Sequence, residues 1–275
     1  ILYHSGDDTF GSTAEPEQTT VAPPEGYDYD IINTEILEQA KVRNGKILLP
    51  ATRTEGYKLL ALLKPEVMTM HTLQTLARLV EEGMTLVGRK PQRTPSLRDA
   101  AQESEFTALV HRLWQHPNVH EENLQEVLRR LDVSPDFTYR PSGQDAAVHA
   151  IHYRQKETHL YFVANRRRVY QKGTAHFRVR GLVPEYWNPY TGEIMECPAY
   201  RSDSKGVEVP LSLSPAGSMF VVFRKADRQG GWTEVKHDDT LLFPLPAGLP
   251  ETPPPSSDFS LTCCCLLYTS PSPRD

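Results

Sequence analysis

The sequence has 275 residues, of which 39% are hydrophobic, and its formal net charge is −5. This length can supply two modest domains, and the acidic balance excludes a broad basic surface that would attract nucleic acid or anionic lipid. No apolar run approaches the roughly 18 residues that a membrane-spanning helix needs. Cys197 and the adjacent cysteines 263–265 fit neither a disulfide framework nor a zinc spacing. We therefore expect no nucleic-acid, membrane or metal partner.

Short apolar segments dominate the first part of the chain. Residues 27–32 (YDYDII) alternate polar and apolar side chains and predict a short strand. Asn44-Gly45 predicts a tight hairpin, because both residues readily adopt a positive φ. Residues 47–49 and 59–63 are continuous apolar runs, which are typical of strands buried on both faces.

Three helical patterns follow these predicted strands. Each carries apolar residues three or four positions apart, which predicts amphipathic helices. The stripes cover residues 70–80, 106–114 and 124–131. A further short strand, Leu86-Val87, lies between the first and second stripes. Strands that alternate with helices predict a parallel α/β domain over residues 1–133.

The pattern changes near Pro135, after which no helical stripe appears. Short segments rich in β-branched and aromatic residues, separated by Gly, Pro and Asn, predict a β-sandwich over residues 134–226. Residues 227–264 are expected to be a linker or the start of a truncated further sandwich. Residues 265–275 (CLLYTSPSPRD) resemble one translated frame of a sequencing adapter, so we expect them to be an artefact.

Carboxylates near strand ends are the first candidate site. Asp28 and Asp30 are predicted near the carboxyl end of a strand, where α/β sheets place functional groups, and Asp7 and Asp8 occupy a similar position. Such side chains could contact a sugar or a metal ion. The alternative is helix capping and loop hydrogen bonding, which aspartate performs well.

Aromatic residues of the predicted sandwich are the second candidate site. Trp187, beside Pro189, is the residue that we expect to contact a sugar. Tyrosines 153, 161, 186 and 190 could extend a stacking platform, although aromatic side chains in a small sandwich often belong to the core.

Three histidines in the same domain could suggest a metal site. His149 and His152 are predicted on opposite faces of one strand, so a ligand set shared with His159 is not expected. The chain also has no glycine-rich phosphate-binding motif.

A set of segments, in order along the chain, resembles the region after the catalytic barrel in glycoside hydrolase family 106, the α-L-rhamnosidases. The segments are residues 6–8 (GDD), 26–33 (GYDYDIIN), 45–50 (GKILLP), 57–60 (YKLL), 79–83 (LVEEG), 87–88 (VG), 90–91 (KP), 95–97 (PSL), 135–137 (PDF), 151–154 (IHYR), 161–165 (YFVAN), 177–179 (FRV), 184–193 (PEYWNPYTGE) and 220–224 (FVVFR). The resemblance covers most of residues 1–226.

The resemblance implies a fold for both domains. Residues 1–133 would form a flavodoxin-like domain, similar to the amidotransferase-like domains beside other glycosidase barrels, and residues 134–226 an accessory β-sandwich. The catalytic barrel would lie outside this sequence. Amidotransferase activity needs a cysteine nucleophile at a strand-to-helix turn, and residues 88–91 (GRKP) contain none.

The resemblance also implies a function. The parent would be a bacterial, periplasmic or secreted enzyme that cleaves plant or pectic α-L-rhamnosides with inversion, using two carboxylates of its barrel near a calcium ion. No position here matches those carboxylates. We therefore expect a non-catalytic accessory part whose partner is carbohydrate, with no catalytic residue, metal or cofactor of its own. The alternative is a stand-alone carbohydrate-binding or structural module.

Overall fold

The computed structural model describes residues 1–7, 16, 21–50, 56–95, 102–121, 123–142, 146–197, 199–226, 235–237 and 240–243. The chain divides into two compact units, Ile1–Ser134 and Pro135–Asp275. Asp8 and residues 265–275, the latter predicted to be an artefact, lie outside the described residues. Within the described ranges, no helix is long and apolar enough to cross a membrane.

The first unit combines strands and helices in alternation. Its described elements are β1 (Leu2–His4), β2 (Asp30–Ile32), α1 (Thr34–Glu38), β3 (Lys41–Arg43), β4 (Lys46–Leu48), β5 (Leu60–Leu62), α2 (Met70–Glu81), β6 (Leu86–Val87), α3 (Glu103–Leu113), β7 (Val119–His120) and α4 (Leu124–Arg130). One parallel sheet has the order β2-β1-β5-β6-β7. The predicted parallel sheet is therefore confirmed.

Both faces of this sheet are buried. Leu2 and Leu60 point to one side, where they pack in a cluster with apolar residues of α1, α2 and α3. Tyr3 and Ala61, the next residues along the same strands, point to the other side and pack with α4. Because successive side chains of a strand alternate in direction, helices on both sides are needed to cover a continuously apolar strand.

The hairpin predicted at Asn44-Gly45 is confirmed. Both residues have positive φ, 52° and 68°, and the turn joins β3 to β4 as an antiparallel pair. The expectation that residues 47–49 form a strand buried on both faces is wrong. The turn folds β4 back onto β3 outside the parallel sheet, and along β4 only Ile47 is buried.

The three predicted helices are also confirmed as α2, α3 and α4. The buried residues of α2 include every member of its predicted stripe. Thr69 caps its first turn by accepting a hydrogen bond from the backbone N–H of Thr72, and Gly83 follows its end with a φ of 104°.

The second unit consists of antiparallel strands in the described residues. They are β8 (Phe137–Pro141), β9 (Val148–Gln155), β10 (Thr158–Asn165), β11 (Gln171–Phe177), β12 (Val183–Trp187), β13 (Ile194–Glu196), β14 (Arg201–Ser202), β15 (Val207–Leu213), β16 (Ser218–Arg224), β17 (Val235–His237) and β18 (Thr240–Phe243). A five-stranded sheet has the order β13-β12-β16-β10-β9, and a four-stranded sheet the order β14-β15-β11-β8.

The two sheets of the second unit share one core. Tyr161 and Phe223 of the five-stranded sheet pack against Phe177 of the four-stranded sheet, with ring centroids 4.7 and 5.1 Å from it. This is the packing of a β-sandwich. Within residues 227–264, β17 and β18 form a hairpin, and Phe243 at its end is buried with Ala199.

Gly173 lies on β11 where the paired strand β8 is close to it. A Cβ atom at this position would clash with the Arg140 carbonyl oxygen and lie 2.7 Å from the Tyr139 ring. We expect Gly173→Ala to lower the free energy of unfolding by about 2 kcal/mol, because the added methyl overpacks the sheet. Urea denaturation followed by circular dichroism measures this. The exposed neighbour Lys172→Ala is the control, and an equal effect of both variants would contradict the steric explanation.

Candidate functional site

The predicted site residues Asp28 and Asp30 lie at an unexpected end of their strand. The strand begins only at Asp30, because Tyr27 donates a backbone hydrogen bond to the Pro24 carbonyl in a preceding turn. Both aspartates are exposed at the amino edge of the parallel sheet, so their predicted place near its carboxyl end is wrong. The Tyr57 hydroxyl donates to Asp30 Oδ2 at 2.6 Å.

Asp7 is the carboxylate at the opposite, carboxyl edge of the sheet. It follows β1 and accepts four hydrogen bonds. Oδ1 accepts from the hydroxyls of Thr34 at 2.6 Å and Thr72 at 2.9 Å. Oδ2 accepts from the backbone N–H of Thr69 at 2.8 Å and from its hydroxyl at 3.1 Å. One side chain thus joins β1 to the first turns of α1 and α2.

His4, the last residue of β1, extends this network. Its Nδ1 accepts a hydrogen bond from the Gly6 backbone N–H at 3.3 Å, so the ring proton belongs on Nε2, which lies 3.1 Å from the Thr34 hydroxyl oxygen. That hydroxyl in turn donates to Asp7. Burial lowers the pKa of His4, and the charge of Asp7 opposes this only in part. His4 is therefore a neutral donor.

These contacts define what the cluster of His4, Asp7, Thr34, Thr69 and Thr72 can do. An ionised carboxylate offers about four lone-pair positions, and Asp7 uses all of them. Both nitrogens of His4 are also engaged by protein groups. Neither residue has a position left from which to exchange a proton with a substrate. The cluster is suited to holding the carboxyl edge of the sheet together.

Trp187 ends β12 in the five-stranded sheet and is partly exposed. Its indole Nε1–H donates to Glu185 Oε2 at 2.9 Å. Arg224 holds Glu185 in turn, with its Nε and Nη2 at 2.8 and 2.7 Å from Oε1. These contacts restrain the orientation of the indole ring.

The four tyrosines proposed to extend the platform separate into two pairs. Tyr161 and Tyr186 are buried in the sandwich core, whereas Tyr153 and Tyr190 are exposed. Only the second pair can therefore contact a ligand at the surface.

Asp136 meets His152 and His159 at the edge of the sandwich, a contact that the sequence did not predict. His152 Nδ1 lies 2.8 Å from Asp136 Oδ2, and its Nε2 lies 2.9 Å from His159 Nδ1. Burial would raise the pKa of Asp136, but hydrogen bonds and charges from His152 and Arg178 outweigh it and lower that pKa. The two imidazoles therefore contact each other directly through these nitrogens. In the part of the chain that the structure describes, no group of three metal-ligating side chains is assembled.

A shallow depression lies along α3, lined by Glu103, Ser104, Thr107, Ala108 and His111. Among the described residues, its lining includes one carboxylate, Glu103. Glycoside hydrolysis by the usual mechanisms needs two, one on each side of the scissile bond. The described lining alone therefore does not form such a pair.

Comparison with known proteins identifies the family of this chain. The model of glycoside hydrolase family 106, described as α-L-rhamnosidase, matches residues 1–202. The chain belongs to this family. Glycosidases act on carbohydrates, so carbohydrate is the substrate class of the family.

Two relatives show how much of a family member the chain represents. A rhamnosidase of known structure from Novosphingobium sp. PP1Y is 30% identical with a TM-score of 0.74, over 86% of this chain and 23% of that one. A Formosa agariphila protein, provisionally named a beta-glucuronidase, is 30% identical over 206 residues, which are 74% of this chain and 18% of that protein. The family 106 chain thus spans about a fifth of the length of these relatives.

Removing the Asp7 carboxylate should destabilise the first unit. We expect Asp7→Ala to lower the free energy of unfolding by about 2–3 kcal/mol, because a backbone N–H and three hydroxyls lose a charged acceptor. Chemical denaturation measures the difference. The exposed Glu81→Ala, at the end of α2, is the control, expected within about 0.5 kcal/mol of wild type. Equal stability of all three proteins would show that the Asp7 network contributes nothing.

The neutral state of His4 predicts a pH dependence of stability in this rhamnosidase-family chain. Because its pKa is lowered in the folded state, the unfolded chain binds a proton first as the pH falls. The free energy of unfolding should therefore decline below about pH 6.5, by up to about 1.4 kcal/mol per pH unit. Denaturation between about pH 5.5 and 7.5 should show a shallower decline for His4→Gln. Parallel curves for both proteins would contradict the assignment.

Proposed function

We propose that this chain is a non-catalytic accessory part of an α-L-rhamnosidase. The observation that carries the proposal is the match to the Novosphingobium rhamnosidase, which covers 86% of this chain but 23% of that enzyme. Most of that enzyme lies outside the matched region. The unmatched part is large enough to contain a separate catalytic domain.

The contacts of three described carboxylates support this role. Asp7 has every acceptor position occupied by protein donors. Asp136 and Glu185 are likewise held in ion pairs. Carboxylates in such pairs stabilise a fold and are poorly suited to carrying protons to and from a glycosidic oxygen.

The finer fold assignment is part of the same proposal. Counted among the parallel strands alone, the order β2-β1-β5-β6-β7 becomes 2-1-3-4-5, which is the flavodoxin-like order. This order supports a flavodoxin-like fold for the first unit, as in amidotransferase-like domains. In such a unit the carboxyl edge is the usual ligand site, and here the Asp7 network fills it.

The chemistry of the parent enzyme would reside in its remaining domains. Inverting cleavage of plant or pectic α-L-rhamnosides requires an acid and a base on opposite faces of the sugar, about 6.5–9.5 Å apart. We propose that a barrel supplies both carboxylates, with a calcium ion near the sugar, and that the present units brace that barrel.

The test is an assay of the purified chain on 4-nitrophenyl α-L-rhamnopyranoside. We expect no release of nitrophenolate above buffer, while the intact Novosphingobium rhamnosidase serves as the active control under the same conditions. Circular dichroism establishes that the assayed chain is folded. Turnover by the folded chain would overturn the accessory role, and its loss in Asp28→Asn, Asp30→Asn or Glu103→Gln would identify the acid concerned.

A further inference from the structure

The five-stranded sheet has an apolar outer face. One residue from each strand lies in register across it, and we call these five side chains the apolar row. Its members are Ile194, Trp187, Phe220, Phe162 and Ile151. None belongs to the core cluster between the two sheets. At the margins Ile194 is 54% exposed and Ile151 67% exposed.

A second set of apolar side chains runs beside the row. Val222, Leu160 and Tyr153 are cross-strand neighbours on the same face. Val222 is fully buried although it lies outside the core cluster between the two sheets. Phe162 and Phe220 support each other with ring centroids 5.2 Å apart. The result is a broad, closely packed surface across five strands.

The outer face of the other sheet is different. It carries Glu208, which accepts hydrogen bonds from Arg140 at 2.9 Å and from Arg201 at 2.5 Å, with His176 paired opposite in register. Polar and charged groups are the ordinary covering of a solvated sheet face. An extended apolar surface on the five-stranded sheet is therefore a feature to be explained, and such surfaces mark binding sites.

Polar groups within this face indicate the chemistry of the partner. The Glu185–Arg224 pair adjoins Trp187, and Arg224 keeps about half of its side chain exposed. Tyr190 is 70% exposed, and its hydroxyl lies 3.3 Å from Ser218 Oγ. A protein surface packed over the row would strip water from the ion pair at a cost in free energy. A sugar would replace that water with its own hydroxyls.

We propose that the apolar row binds a 6-deoxyhexose, with Trp187 stacked on the sugar ring. A 6-deoxy sugar presents a methyl group and an apolar face of C–H bonds, which match Phe220 and Ile194 on either side of Trp187. Its hydroxyls would reach Arg224 and Tyr190. The choice of L-rhamnose among such sugars rests on the proposed function, whereas the site itself rests on the geometry of the sheet face.

The experiment titrates the folded chain with methyl α-L-rhamnopyranoside, followed by ligand-observed NMR. Methyl α-L-mannopyranoside is the matched ligand control, because it differs only by a hydroxyl on C6. We expect the rhamnoside to bind about tenfold more tightly, as one buried methyl group allows. Trp187→Ala should weaken binding about tenfold or more.

A pair of tyrosine variants locates the site. Tyr190→Ala should weaken binding severalfold. Tyr170, which is 69% exposed and leads into β11 of the other sheet, is its matched control. Tyr170→Ala should leave binding unchanged. Thermal melts of all variants show whether each remains folded.

Three results would overturn the proposal. They are a folded wild type that binds neither glycoside, binding that survives in Trp187→Ala, and self-association in sedimentation that Trp187→Ala abolishes. The last result would assign the row to a second copy of the chain. Each result is independent of the nitrophenyl glycoside assay. Binding without turnover agrees with both the accessory role and the sugar site. Turnover contradicts the accessory role, and absence of binding at Trp187 contradicts the sugar site, so the two proposals fail separately.

Discussion

The alternation of side chains along each strand governs both units. In the first, Leu2 and Tyr3 are neighbours in sequence yet belong to cores on opposite faces of the sheet. In the second, Tyr186 enters the core while Trp187 turns outward. A shift of one residue in register would exchange these roles and expose the core. The position of the proposed sugar-binding residue is thus inseparable from the packing that stabilises the sandwich.

Three described carboxylates, Asp7, Glu208 and Glu185, serve as structural acceptors. Asp7 joins two helices to β1, Glu208 ties β14 and β8 to β15, and Glu185 fixes an indole ring. In each case the charge is compensated by several donors, which lowers the cost of burying it. Hydrolytic enzymes need acids with free acceptor positions instead. Because protein donors occupy the acceptor positions of these carboxylates, they are poorly suited to proton transfer. This agrees with the accessory role that we propose.

Local signals in the sequence predicted the local structure well. Asn44-Gly45 gave the hairpin because its positive φ values depend on those two residues alone, and the helical stripes gave α2, α3 and α4. Contacts between distant residues were not predictable in this way. The partners of Asp7 lie 27 to 65 residues away, and a single sequence contains no signal that pairs them.

The errors have the same origin. Asp28 and Asp30 were placed at the wrong edge because the turn at Tyr27 shortens the strand, and strand ends are the least predictable part of an element. The contact between His152 and His159 is not an error of this kind, because the sequence makes no prediction about it; it depends on the register between β9 and β10. The prediction of a carbohydrate substrate came from the family resemblance, because neither the periodicity nor the composition of the sequence indicates a substrate class.

The close approach at Gly173 has a consequence for the evolution of the family. The Arg140 carbonyl and the Tyr139 ring leave space there for a hydrogen atom and nothing larger. Backbone atoms cannot be exchanged for smaller ones, so no second substitution nearby can make room. Lineages that keep β8 paired with β11 should therefore retain this glycine while the exposed residues around it diverge, and its loss would mark a lineage in which that edge of the sandwich has been rebuilt.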